Sequence, residues 1–406
     1  MTTPTVAVTG VWTTADDLPT PAAWYGQHDG AVLLDDDSVL VTGGADAASA
    51  ALDKTFVYDP TADAWQPVDA LGTPRQLHTI TRLANGKVLV VGGLNGSSAS
   101  GTGLRSAELY DPHTHAWTAT GSLATPRWGH SATLLPDGSV LVAGGSTVRS
   151  GRTTTALRSA ERYDPSSGKW SPAKDMTDAR TGHTAVPLDG GVVLVVGGVA
   201  PVGTADDPAL AFCELYGPED KWVPTGSLLR ARRHHQATRV SDTTVLVTGG
   251  TAPGSPGAGP YDPFSQRTAE RYDLAGGVWT AVTEMPSGRA FHRAVRIGSG
   301  QVLVAGGAAS DRDEAGYRSA VLHTTDQDNA DATDQDNADV WAPAAGLAAG
   351  RWAFAAVALA DGRVLVTGGA ARSGLAAADP AVTELTASTE LFATDDETIP
   401  VSGSGS

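Results

Sequence analysis

The chain has 406 residues, 18% charged and 41% hydrophobic, which excludes wholesale disorder and allows a large core. Its formal net charge of -17 argues against a nucleic-acid partner and against docking on an anionic membrane, both of which need a basic surface. A single cysteine, Cys213, excludes an intramolecular disulfide framework. The opening MTTPTVAVTGVW has neither the basic nor the apolar region of a secretory signal, and no apolar run reaches transmembrane length, so a cytoplasmic location is expected.

The first predicted element is a short strand, Val11-Trp12-Thr13-Thr14, with nothing before it to pair with. A hydrophobic strand ending in Gly-Gly then recurs seven times, the glycine pairs ending at Gly44, Gly93, Gly145, Gly198, Gly250, Gly307 and Gly369. Each is a run of Val and Leu, the pattern of a strand buried on both faces. Asn85-Gly86, Asp137-Gly138, Asp189-Gly190 and Asp361-Gly362 precede four of these strands and favour tight hairpin turns, so another strand lies before each. That earlier strand starts at an Arg-x-x-His segment: Arg75 to His78, Arg127 to His130, Arg180 to His183, Arg232 to His235 and Arg289 to His292. The seventh copy reads Arg351 to Phe354, and the first is aligned as Tyr25 to His28.

A variable loop follows each Gly-Gly. A third strand comes next, carrying Tyr110, Tyr163, Tyr216 or Tyr272 after a glutamate, and a fourth is marked by Trp65, Trp117, Trp170, Trp222, Trp279 or Trp341. Four strands per unit, repeated about every fifty residues, resemble the kelch repeat family over almost the whole chain. The resemblance implies an all-β fold, a seven-bladed kelch-type β-propeller spanning residues 1–398, with 399–406 a flexible tail. The chain ends on a third strand, Ser388 to Phe392, that lacks a fourth. The N-terminal strand is therefore expected to complete the last blade and close the ring, removing exposed sheet edges.

Alternating strand direction puts the Arg-x-x-His segments and the loops after Gly-Gly on one face, around the axial mouth. Each arginine is expected to pair with the glutamate of its own blade's third strand, Glu108, Glu161, Glu214, Glu270 or Glu390, and each histidine to be a satisfied core residue. Blade one lacks both partners, with Phe56 at the glutamate position. Blade six keeps Arg289 but has Val321 there, which leaves Arg289 either free to bind an anion at the mouth or held by an acid of the loop Asp311 to Glu314.

The extra aromatics Trp24, Tyr25, Trp128, Phe291 and Trp352, with Gln76, Arg180, Arg233 and His234, belong to the same expected face. One reading is a cofactor-free site for an anionic or aromatic small molecule, with lyase, isomerase or cyclase chemistry. Arg289, Arg233 and Arg180 would hold the anion, and His234 or Tyr25 would move the proton. The other is a protein-interaction scaffold, which the kelch resemblance implies equally well. Neither reading invokes a metal or cofactor. Galactose oxidase-like copper enzymes, whose fold is similar, depend on a cysteine crosslinked to a tyrosine, and Cys213 falls in a third strand away from the mouth. The doubled TDQDNAD stretch of blade six, Thr325 to Asp339, has clustered oxygens but lacks the glycine and distal glutamate of an EF-hand loop, and reads as a solvated insertion. His113 and His115 read as a surface turn.

Overall fold

The computed structural model describes residues 9–26, 30–97, 100–148, 154–200, 207–252, 265–298, 300–309, 315–324 and 339–394. His28, the acids Asp311 to Glu314, the acidic repeat up to residue 338 and the expected tail lie outside these.

Seven four-stranded antiparallel sheets form the seven blades of a β-propeller. Blade two shows the pattern: Thr79–Arg82, Val88–Val91, Ala107–Asp111 and Ala116–Ala119, paired in that order from the axis outward. The second strands are buried along their whole length, as in Val88–Val91 and Val193–Val196, because neighbouring blades cover both faces. The last blade is built as expected. Its strands Ala355–Ala358, Val364–Thr367 and Thr389–Ala393 are completed by Val11–Ala15, paired from Val11 opposite Ala393 to Ala15 opposite Thr389. Thr9 continues the seam with a parallel bridge to Ala344 of blade six.

Aromatic spokes hold blade to blade. The fourth-strand tryptophans stack against the third-strand tyrosines at 5.0–5.2 Å, as in Tyr58–Trp65 and Tyr110–Trp117. Each indole N–H then reaches the preceding blade: Trp170 donates to Gly121 O at 2.7 Å and Trp222 to Lys174 O at 2.8 Å. Trp12 does the same across the closure, donating to Ala345 O at 2.7 Å. His115 is part of this girdle, its ring nitrogen 2.8 Å from the Tyr110 hydroxyl, the place that Asp63 and Asp220 fill for Tyr58 and Tyr216.

The Gly-Gly pairs are needed sterically. Gly92 and Gly93 have φ of 59° and 97°, and a Cβ on Gly92 would lie 2.6 Å from the carbonyl oxygen of Arg127 in the next blade.

Blade one departs from the expected alignment. Ala23 makes with Ala45 the bridge that Gln76 makes with Leu94, and Gly369 donates to Ala22 O as Gly93 does to Arg127 O. The arginine position of blade one is therefore Ala22, and Tyr25 lies three residues beyond it. The reason is Trp24. Its indole fills the space beside Gly368 that a histidine ring fills beside Gly92 and Gly144.

Candidate functional site

The Arg-x-x-His arginines form a buried girdle. Arg75, Arg127, Arg180, Arg232, Arg289 and Arg351 all have no exposed surface. Five pair with their blade's glutamate, at 2.9 Å for Arg127–Glu161, 3.1 Å for Arg180–Glu214 and 2.6 Å for Arg351–Glu390. A second guanidinium nitrogen donates to the first glycine of the Gly-Gly pair, as Arg180 does to Gly197 O at 3.0 Å. The other carboxylate oxygen accepts a backbone N–H three residues before the arginine, such as Thr177 N at 2.8 Å from Glu214. Each cation thus ties four segments together, so Arg180 serves the fold and faces no solvent.

Arg289 occupies the same slot without a carboxylate among the described residues. It donates to Gly306 O at 2.9 Å, Ser319 O at 3.1 Å, Ser287 Oγ at 3.0 Å and Ser319 Oγ at 3.1 Å. Burial pulls its pKa down to about 10. The expectation that Arg289 reaches an anion at the mouth is corrected here: the side chain lies between blades with no exposed surface, because it must fill the slot its sisters fill.

The histidines bond back to hydroxyls of the preceding blade's inner strand. His130 sits 3.0 Å from Thr79 Oγ1, His183 3.0 Å from Ser131 Oγ, and His235 2.9 Å from Thr184 Oγ1. Burial and the adjacent arginine hold His78 and His235 down to about 3, so both rings are neutral at pH 7.

The axial mouth itself is asymmetric. The residue before each histidine position stands at positive φ: Leu77, Gly129, Gly182, His234, Phe291 and Ala353, at 51–61°. Backbone hydrogen bonds link several of them around the axis, including Gly182 N to Gly129 O and Ala353 N to Phe291 O, both at 2.9 Å. Blades three and four use glycine there, as the geometry favours. Blades five and six instead place rings, at an energetic cost of about 1–2 kcal/mol each for a left-handed L-residue. His234 stacks on Phe291 with centroids 4.0 Å apart, Phe291 meets Trp352 at 5.4 Å, and Trp352 meets Tyr25 at 5.4 Å. Four of the expected site residues therefore form one arc across blades five, six, seven and one.

The other expected residues are spread out. Trp24 is buried behind the arc, its indole N–H donating to Thr42 O at 3.1 Å. Gln76 is buried too, and clamps two loops by donating to Ser49 O at 2.8 Å and Gly96 O at 2.7 Å. Arg233 is partly exposed beside His234, its backbone paired with Thr251. Trp128 floors a separate groove of about 430 Å³ between the loops of blades two and three, with Gly103, Pro126 and Val148. One contributor escaped the sequence reading. Arg293 follows His292, where other blades have Thr79, Ser131, Thr184 or Gln236. It is buried, donates to Trp24 O at 3.0 Å and Gly26 O at 3.3 Å, and lies 6.0 Å from the Phe354 ring. Its being the one charged residue at that position in blades two to seven was the available signal.

The arc is poorly tuned for proton transfer near neutrality. Burial, reinforced by Arg233 and His235, holds His234 well below the usual histidine range. Burial also raises the Tyr25 phenol, against a hydrogen bond from the Thr383 side chain. A good general acid or base has its pKa near the working pH, and these two are moved away from it on opposite sides. Cys213 lies in the third strand of blade four, buried, with its thiol pushed up to about 11 by burial. Among the described residues no group of three or more His, Cys, Asp or Glu side chains is placed to hold a metal ion, and no helix is long and apolar enough to cross a membrane.

Comparisons with known proteins agree with this architecture. The Kelch motif family profile matches residues 83–123 and 127–177. Kelch-like protein 34 of Homo sapiens is 29% identical over 250 residues, covering 59% of this chain and 36% of that protein. Alpha-scruin of Limulus polyphemus is 28% identical over 222 residues, 53% of this chain and 23% of that protein. Kelch-like protein 35 of Mus musculus is 26% identical over 290 residues, 71% and 44% respectively. The chain thus matches less than half the length of these relatives. A solved copper complex of a fungal alcohol oxidase of the AA5 family superposes with a TM-score of 0.66 at 16% identity, over 96% of this chain and 77% of that one. YjhT superposes with a TM-score of 0.59 at 15% identity, over 81% and 100%. At such identities the two structures speak to the fold alone. With seven closed blades, the Arg–Glu girdle and these matches, the chain is a seven-bladed β-propeller whose repeats are similar to the kelch motif.

Proposed function

We propose that this chain is a protein-binding propeller whose partner docks on the face carrying the Arg-x-x-His segments and the loops after Gly-Gly. The observation that carries the reading is an apolar tip on the blade-seven loop. Leu375 is 81% exposed, the most exposed large apolar side chain among the described residues, and Val382 of the same loop is 39% exposed. The loop is anchored rather than loose: Thr383 N donates to Ala47 O at 3.1 Å, and Ala370–Arg372 pairs with Glu384–Leu385. Leu385 and Tyr25 pack on the core formed by Phe291 and Trp352, so the base of this loop stands next to the aromatic arc. Apolar anchors with aromatic neighbours are the usual energetic centre of an interface. A net charge of -17 favours a partner with a basic rim around an apolar anchor. The kelch resemblance carries the same implication.

The test is capture by the immobilised chain, with each captured protein identified and then retested against variants. Leu375→Asp combined with Val382→Asp is expected to abolish retention of a partner that Val278→Asp, a change on an exposed outer strand, leaves bound. Retention unchanged by the double variant would overturn the assignment to this face.

A second reading, an anionic or aromatic small molecule held by the arc, draws support from the rings that His234 and Phe291 place where blades three and four have glycine. Arg233 would supply the charge. An aromatic carboxylate bound there would raise the melting temperature, and Phe291→Ala would remove the rise. A panel with no shift would leave the protein-binding reading alone. Catalysis by His234 and Tyr25 would further require turnover with an optimum set by their displaced pKa values.

A further inference from the structure

The opposite mouth of the axial channel holds a second set of groups that the protein-binding reading does not use. The inner strands put one side chain each on a common level, opposite a valine of the second strand: Ala31, Ile80, Ala185, Ala237 and Ala294 are among them. These five line a cavity of about 540 Å³. Two residues further on, toward the far mouth, the same faces carry the next level. Pro187 and Arg239 of that level also line the cavity, which shows that the level faces the lumen. Arg82 and Arg296 occupy the same level, since Arg82, Arg239 and Arg296 lie opposite Val88, Val245 and Val302.

Three arginines therefore surround the far mouth of an alanine-walled throat. Their present partners are exposed carboxylates, Asp189 being held by both terminal nitrogens of Arg239 at 3.1 and 2.7 Å. Arg82 pairs with Asp35 and Arg239 with Asp189, both at 2.7 Å, and Arg239 also approaches Asp242 at 3.5 Å. Those carboxylates are 67%, 75% and 96% exposed, so solvent and salt screen the pairs. Arg296 is exposed, with no ion-pair partner among the described residues. Planar guanidinium groups match phosphate oxygens in pairs, and a concave apolar wall beneath a few charged groups is the usual form of a small-ligand site.

We infer that the far mouth binds a phosphate monoester with an apolar body: the phosphate meets Arg82, Arg239 and Arg296, and the body enters the throat lined by Ala185, Ala237 and Ala294. The arrangement is independent of the Leu375 face, so the two assignments fail separately.

Titration calorimetry with hexyl phosphate, inorganic phosphate and hexanol tests it. Hexyl phosphate is expected to bind at least tenfold more tightly than either of the others, and more weakly as salt rises. Arg239→Gln with Arg296→Gln is expected to weaken it at least tenfold. Ala237→Leu, which fills the throat, is expected to bring it down to the level of inorganic phosphate. Leu375→Asp is expected to change nothing. Hexyl phosphate binding no better than inorganic phosphate, or equal binding to a correctly melting Arg82→Gln, Arg239→Gln, Arg296→Gln triple variant, would overturn the inference.

Discussion

Blades two, three, four, five and seven fill the inter-blade slot with an arginine, a glutamate and a backbone N–H, whereas blades six and one fill it without the carboxylate. The N–H comes from Gly72, Ala124, Thr177, Leu229 and Ala348, each three residues before its arginine. In blade six that position is Pro286, and in blade one, counted from Ala22, it is Pro19. Proline has no N–H to leave orphaned. The comparison shows that a buried polar slot changes as a set. Once the acceptor goes, the donor must go too, because an unsatisfied buried N–H costs about 1–3 kcal/mol. Ser287 then supplies the hydroxyl that replaces the carboxylate against Arg289.

Three perturbations sharpen the contrast. The largest effect is expected from Arg180→Met, which strands Glu214 without its cation. Chemical denaturation should report a loss of about 3–5 kcal/mol, the range for breaking a buried ion pair. Arg289→Met strands only neutral acceptors and should lose less, about 1–3 kcal/mol. Equal losses would mean that the carboxylate contributes nothing distinctive to the slot.

Acid comes next. His78 and His235 have folded pKa values near 3, below the usual 6.5 of the unfolded chain, so the unfolded state binds more protons between those values. Their neutral burial stabilises the fold fully above about pH 6.5, and that stability is lost as pH falls toward 3. Unfolding free energies at pH 7 and pH 5 should differ by about 1 kcal/mol per pH unit for each such histidine. His235→Phe, the substitution blade seven already carries at Phe354, should flatten the slope. An unchanged slope would assign the acid sensitivity to other groups.

The smallest effect concerns the mouth. Gly182→His places at φ 59° the residue type that His234 already places at φ 56°. A Cβ on Gly182 meets nothing within 4 Å, so the cost should be backbone strain alone, about 1–2 kcal/mol in a thermal melt. A much larger loss would show that the two halves of the mouth differ in packing as well as in side chain.

The repeat, the four-strand blades, the closure by Val11–Ala15 and the Arg–Glu pairing were all legible in the chain, because each is a periodic pattern imposed by a repeated packing problem. Blade one was not aligned correctly. Its Arg-x-x-His signature is absent, and only the Ala23–Ala45 bridge and the Trp24 indole beside Gly368 reveal which residue stands where. Pro19 and Pro286 were visible in the sequence but carried no meaning until the N–H they replace was known.

The candidate sites divide in the same way. The sequence determined that aromatics and cations gather on one face, since strand direction and loop order dictate it. Only the tertiary structure decided which of them meet. Arg180, Arg289 and Gln76 turn inward to satisfy buried carbonyls, while His234, Phe291, Trp352 and Tyr25 close into an arc across four blades. Likewise, Arg82, Arg239 and Arg296 are far apart in the chain and come to one level only because the same inner-strand register is repeated in each blade, which fixes their height along the axis.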